Sequence, residues 1–235
     1  MFLDSKRNGL ALARKKHYAT IVISYMLRCS HYRPLIPGGE PRVVSKNWAR
    51  VPFHTMPSIF SHAIFAASIG KAFISNPLPV SFWVLTAACA VLPDADVIAF
   101  AFRVPYGSML GHRGITHSVA FALFTGVIVG LIASRKIRAL GTVGLILYFT
   151  LVTFSHTLLD MLTNGGLGVA LLAPLSGERY FLPWRPVEVS PIGMRFFSGR
   201  GLEVVMSEIV WIWLPALFVL LGALIYRYIA KVKAQ

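Results

Sequence analysis

Two short stretches carry the residues that could do chemistry. Pro93 to Ser118 holds Asp94, Asp96, His112 and His117, in a chain of 235 residues with only nine acidic residues and seven histidines. Downstream, His156 and Asp160 stand four apart, so on a helix their side chains share one face and can reach one ion. Histidine and carboxylate without cysteine form a donor set suited to zinc, ahead of manganese or iron. Asp94 and Asp96 are two apart at the end of an apolar run, where a loosened turn lets both point inward. His112 and His117 are five apart and need not share a helical face. One is expected to ligate metal and the other to move protons, and spacing leaves open which is which. Gly111 to Thr116 reads as a loop, with Thr116 as the N-cap of the next helix. Arg113, between the two histidines, suits a clamp on a phosphate or a developing oxyanion, or else an arginine snorkelling to an interface.

The elements that must position these groups are apolar helices. From Met56 onward the sequence breaks into runs of membrane character: about 58–75, closed by Asn76-Pro77-Leu78-Pro79; 79–98; 117–134; 139–160; and 209–230. The reading is an all-α polytopic membrane protein with about five transmembrane helices. Residues 99–116 connect the second and third, and 161–207 are mixed, with an apolar run from Leu167 to Leu175 too brief to span. Basic residues orient the bundle: the turn Arg135 to Arg138 and the tail from Arg227 to Lys233 are expected on the cytoplasmic side. Asp94, Asp96, His117, His156 and Asp160 then fall at the outer helix ends, with His62 near the same face. An ionisable group in such a place is costly without a partner, and metal ligation partners all of them together.

Composition bounds the alternatives. The chain is 56% hydrophobic and only 14% charged, with mean hydropathy +0.66, far from an ordinary soluble domain. Its formal charge of +14 invites a nucleic-acid reading, but the excess is unevenly placed. Residues 1–55 carry ten Lys and Arg against Asp4 and Glu40; the later excess follows topology, so no nucleic-acid partner is expected. The first 55 residues read as a basic, poorly ordered extension, with Met56 as a candidate true start, and 56–235 as the helical membrane domain. His17, His31 and His54 in that extension read as solvated polar residues. Cys29 and Cys89 are too few for a disulfide framework, and Cys89 reads as a core residue. Arg179, Arg185, Arg195 and Arg200 lie on the expected outer side, as though held by lipid headgroups or an anionic substrate. Trp184, Phe181 and Phe196 read as an interfacial aromatic belt.

The segments MPSIFSHAIFAASIG, VLPDAD, GHRGITHS and SHTLLD, in this order, resemble the YdjM family of bacterial inner-membrane proteins, regarded as membrane-bound metal-dependent hydrolases. The resemblance runs from about Met56 to the C-terminus. It implies a polar site of His62, Asp94, Asp96, His112, His117, His156 and Asp160, and an inner-membrane location. A looser similarity, in ligand order alone, links the chain to zinc-dependent phospholipase C and single-strand nucleases, in which the last Asp of His-x-x-x-Asp bridges two metals. Asp160 would hold that place here, but the later His and Glu ligands of those enzymes have no counterpart after His156.

The expectation is therefore a hydrolase using one or two divalent ions, zinc first, on a phosphoester or other ester of a lipid or lipid-linked substrate. The expected ligands are His62, Asp94, Asp96, His117, His156 and Asp160, with His112, Arg113 and His117 as catalytic groups. The alternative is a non-catalytic metal-binding membrane protein, a transporter or a regulatory component. Transporters bind near the bilayer midplane, whereas these groups gather at helix ends.

Overall fold

A computed structural model describes residues 58–189 and 199–234. The expectations for residues 1–55, and for Arg195, Phe196 and the Arg200 side chain, fall outside what it describes. The described residues are all-helical, with isolated bridges (Thr163 to Val187, Val169 to Tyr180) and no strand. Six α-helices follow in order: α1 (Ile59–Phe73), α2 (Val80–Val91), α3 (Val119–Ser134), α4 (Gly141–Met161), α5 (Gly199–Glu208) and α6 (Leu214–Lys233). Three stretches are long and apolar enough to cross a membrane: Val80–Phe102, Gly141–Met161 and Gly201–Lys233. The other two expected spans, α1 and α3, are apolar but have only 15 and 16 residues. At 1.5 Å per residue they reach about 22 to 24 Å, short of a ~30 Å hydrocarbon core.

Two of the long stretches change helical type partway. After α2 the chain tightens into a 3-10 helix over Leu92–Phe102, with Pro93 in its first turn. Proline has no N–H to give the preceding turn, and 3-10 runs this long are uncommon. Near the C-terminus, α5 passes through one π turn (Ile209–Trp213) into α6, where the Leu214 N–H reaches back five residues to the Ile209 carbonyl. Pro215 follows at once, and the wider turn absorbs its missing donor.

α3 and α4 form the most extensive helix pair. Their backbones approach closely because Gly126 and Gly130, spaced GxxxG, face α4. A Cβ on Gly126 would lie 2.6 Å from the Thr150 nitrogen, and one on Gly130 2.7 Å from the Ile146 Cα. Small residues at such a spacing let helices pack in lipid, where apolar surface alone gives no preference for a neighbour. Phe82, Leu145 and Phe149 are fully buried among α2 and α4, with Ala66 of α1 and Cys89 in the same cluster. The core reading of Cys89 holds.

α5 is an element that the sequence left within a mixed region. Its last residue, Glu208, is fully buried and accepts from the Ser58 hydroxyl (2.6 Å) and the Ser58 N–H. Ser58 is the N-cap of α1, so a distant carboxylate fixes the start of the helix that carries His62. The Trp213 indole N–H donates to Ser61 Oγ at 2.7 Å and ties the π turn to the same helix start.

Candidate metal centre

The start of α1, the end of α2, the start of α3 and the end of α4 carry the charged residues, and side-chain contacts link them all. One donor atom from each of Asp94, His117, His156 and Asp160 lies within 4.8 Å of the others, and all four residues are buried. His117 Nε2 and His156 Nε2 stand 3.0 Å apart. Asp94 Oδ1 lies 3.4 Å from the His156 nitrogen and 3.7 Å from that of His117. Asp160 Oδ2 lies 3.2 Å from His117 Nε2 and 4.0 Å from His156 Nε2.

The far nitrogens decide what the near ones present. His156 Nδ1 meets the Ala90 carbonyl at 2.8 Å; a carbonyl only accepts, so Nδ1 carries the proton and Nε2 turns a lone pair inward. That carbonyl is available because its 3-10 partner would be the N–H of residue 93, which is proline. His117 Nδ1 donates to Thr116 Oγ1 at 3.0 Å and sits 3.2 Å from Asp96 Oδ2, to which the Thr116 hydroxyl donates at 2.7 Å. This carboxylate fixes the other tautomer likewise. With both imidazoles neutral, two lone pairs and two carboxylates facing one point repel unless a proton on His117 or a metal ion lies between them. Asp94 Oδ1 and Oδ2, Asp160 Oδ1 and Oδ2 and both ring nitrogens of His62 are buried without a hydrogen bond among the described residues, which fits a site built for an ion.

The other expected residues surround this group. Asp96 serves a second cluster with His112 and His117. It contacts His112 Nδ1 at 2.6 Å and accepts the Arg113 backbone N–H at 3.0 Å. His112 Nε2 is buried with no hydrogen bond among the described residues. His62 stacks on the His156 ring, centroids 3.8 Å apart, with Nε2 3.6 Å from Asp160 Oδ1. It stands beside the four converging donors rather than among them.

Arg113 does not snorkel. Its side chain is fully buried, with Nε 2.9 Å from Asp160 Oδ2 and Nη1 donating to Thr163 Oγ1 and the Gly165 carbonyl, each at 3.1 Å. Its backbone takes the left-handed φ of 58°. Thr116 is not the N-cap of α3. Ser118 is, accepting the Phe121 N–H, because Ile115–His117 forms a 3-10 turn that spends the Thr116 hydroxyl on Asp96.

Arg179 has a different holder from the one its sequence context suggested. Its guanidinium donates to four backbone carbonyls, those of His112, Gly168, Tyr106 and Ser108, at 3.1 to 3.2 Å. It straps the 105–112 loop to the 163–189 segment, so no lipid or substrate anion is needed to hold it. Arg185 lies over the Phe181 ring at 4.5 Å, and Trp184 packs edge-on against Trp211. Sequence reasoning also passed over the threonines. Thr157 donates to the His117 carbonyl at 2.9 Å, and Thr163 holds Arg113. Their signal was positional: Thr153 and Thr157 flank His156 in an otherwise apolar helix, and both are buried.

Outside the spanning segments, His117 and Tyr106 are among the groups with shifted acidity. Burial opposes charge on His117, but the carboxylates of Asp160, Asp94 and Asp96 outweigh it and raise its pKa well above the ordinary imidazole value. Burial also raises the Tyr106 phenol, which stays a neutral O–H.

Comparison with known proteins agrees with this architecture. The family described as YdjM inner membrane protein matches residues 56–234. The Inner membrane protein YbcI of Escherichia coli (strain K12) is 40% identical over 173 residues, covering 73% of this chain and 99% of that protein. No solved structure matches the chain.

Proposed function

This chain belongs to the YdjM inner membrane protein family, and we propose that it is a metal-dependent hydrolase of phosphoesters at the membrane surface. It is a multi-pass protein of the inner membrane, and its buried His/Asp group is positioned to hold a metal ion. The observation that carries the proposal is the pair of inward Nε2 lone pairs on His117 and His156, closed by Asp94 and Asp160.

Zinc suits two imidazoles with two carboxylates. Charge favours a single ion. Asp94, Asp96 and Asp160 bring three buried negative charges and Arg113 one positive. One divalent ion with neutral imidazoles balances them, whereas a second would leave an excess buried charge. Asp94, His117, His156 and Asp160 are the proposed ligands. Asp96 orients His117 and His112, and His62 lines the centre through its stack on His156.

A divalent ion bound here supplies Lewis acidity and acidifies water. The chain's own groups do the rest. With Nδ1 held by Asp96, His112 presents Nε2 as the proton carrier. It accepts the proton of the attacking water as the new oxygen–phosphorus bond forms, and returns it to the alcohol oxygen as the old bond breaks. Arg113 supplies positive charge for the anionic phosphoryl oxygens. The position of the centre at helix ends, where a membrane-associated ester can approach, favours this over a transport role.

The test is zinc content and hydrolysis together. Purified wild-type protein in detergent is expected to retain about one zinc per chain and to release phosphate or alcohol from a panel of lipid and chromogenic phosphoesters. A His156→Ala, Asp160→Ala variant should lose both. A wild type that binds zinc and cleaves nothing in the panel is the non-catalytic alternative.

A further inference from the structure

The reading above uses the charge of Arg113 but names no partner for two buried donor atoms. Tyr106 Oη and Arg113 Nη2 have no hydrogen-bond partner among the described residues, although Tyr106 is only 8% exposed and Arg113 fully buried. A buried donor left unpaired is costly, so two in one neighbourhood call for a shared ligand.

They are neighbours across a glycine. Gly166 has φ +84°, and a Cβ there would stand 2.8 Å from Tyr106 Oη and 2.9 Å from Arg113 Nη1. A Cβ at 166 would clash with both, so only glycine lets the backbone pass this close to the tyrosine hydroxyl and the arginine head. The Tyr106 ring is itself held. It meets the His112 ring edge-on at 5.2 Å, and the strapped Arg179 guanidinium lies 5.6 Å over its face. A guanidinium and a phenol offer donors with positive charge nearby, which matches an oxyanion. The same guanidinium touches Asp160 through Nε, so an anion held there adjoins the metal centre.

We propose that Tyr106 Oη and Arg113 Nη2, beside the closely approaching Gly166 backbone, form the subsite that receives a non-bridging oxygen of a phosphoryl group. This rests on the phosphoester reading and adds Tyr106 and Gly166 as substrate-recognition residues. Free phosphate and a lipid phosphate headgroup share this chemistry.

The test is calorimetric titration of zinc-loaded and zinc-free protein in detergent with inorganic phosphate. Parallel titrations use micelles containing phosphatidate, or phosphatidylcholine alone. Wild type is expected to bind phosphate or phosphatidate and not phosphatidylcholine. Heat with inorganic phosphate assigns a small phosphate; heat with phosphatidate alone assigns a headgroup. Tyr106→Phe should weaken that binding about tenfold or more, as loss of a hydrogen bond to a charged group does, with zinc content unchanged. Gly166→Ala, whose Cβ would displace the Tyr106 hydroxyl and the Arg113 head, should weaken it as well. Absence of binding by wild type in both zinc states overturns the subsite, as does Tyr106→Phe binding at wild-type strength. Failure of wild type to retain zinc would count against the metal centre alone, because the zinc-free titrations still decide the subsite.

Discussion

The His156 ring donates Nδ1–H to the Ala90 carbonyl at 2.8 Å across two helices, and Pro93 is what leaves that carbonyl open. Replacing Pro93 with Ala restores an N–H that competes for Ala90. The His156 ring then loses its fixed orientation. Metal affinity should fall about 10- to 100-fold, the usual loss when a ligand's supporting hydrogen bond goes. Competition with a chelator measures it, and an unchanged affinity in a folded variant would show that Pro93 plays no such part.

Asp94 and Asp96 separate by role. Asp94→Asn removes a donor facing both Nε2 atoms and should leave protein that no longer retains zinc through dialysis. Asp96→Asn leaves the four converging donors intact but loosens His117 and His112. It should retain zinc about 10- to 100-fold more weakly and lose hydrolysis more severely than binding. Equal zinc affinities for the two variants would contradict this division.

Metal binding should strengthen with pH. The raised pKa of His117 means that the metal-free fold holds a proton on this imidazole more tightly than the unfolded chain does. That stabilisation is complete below the ordinary imidazole value of 6.5 and is lost as pH rises through the folded value. Zinc must displace the proton, so its apparent affinity climbs with pH until His117 is neutral. Titration in buffers of different ionisation enthalpy should reveal proton release. The metal-free protein should lose stability toward alkaline pH.

Gly126 and Gly130 set the spacing of α3 and α4, and through it the distance from His117 to His156. Gly130→Val forces a branched side chain against the Ile146 backbone. Overpacking of this kind costs about 1–3 kcal/mol. The expected outcome is a lowered melting temperature in detergent with zinc loss at the same midpoint. Ile128→Ala, on the exposed side of the same helix, is the control.

The metal centre and the Arg135–Arg138 turn lie at opposite ends of α3 and α4, so reporter fusions should place them on opposite sides of the membrane. A fusion after Lys136 is expected to report the cytoplasm, and one after Asn164 the outer side. The same side for both would refute the orientation.

The sequence by itself determined the helical membrane class, the order of the apolar runs and the set of residues gathered at one end. These follow from local quantities: run length, breaker residues, and the expense of His and Asp beside apolar helices. His156 and Asp160 were legible because i and i+4 fix a shared face on any helix. Roles were not legible. Asp94 and Asp96 are chemically alike and two apart, and only the 3-10 turn after Pro93 sends one to the Nε2 side and the other to the Nδ1 side of His117. The same holds for His112 and His117, whose assignments depend on which nitrogen Asp96 occupies. Arg113 read equally as an oxyanion clamp or a snorkelling cation until Asp160, Thr163 and Gly165, about fifty residues away, enclosed it. Arg179 looked bound for an anion until four carbonyls took its donors. A hydrogen-bonding group's function depends on which partner across the fold reaches it first, and that competition is decided in three dimensions.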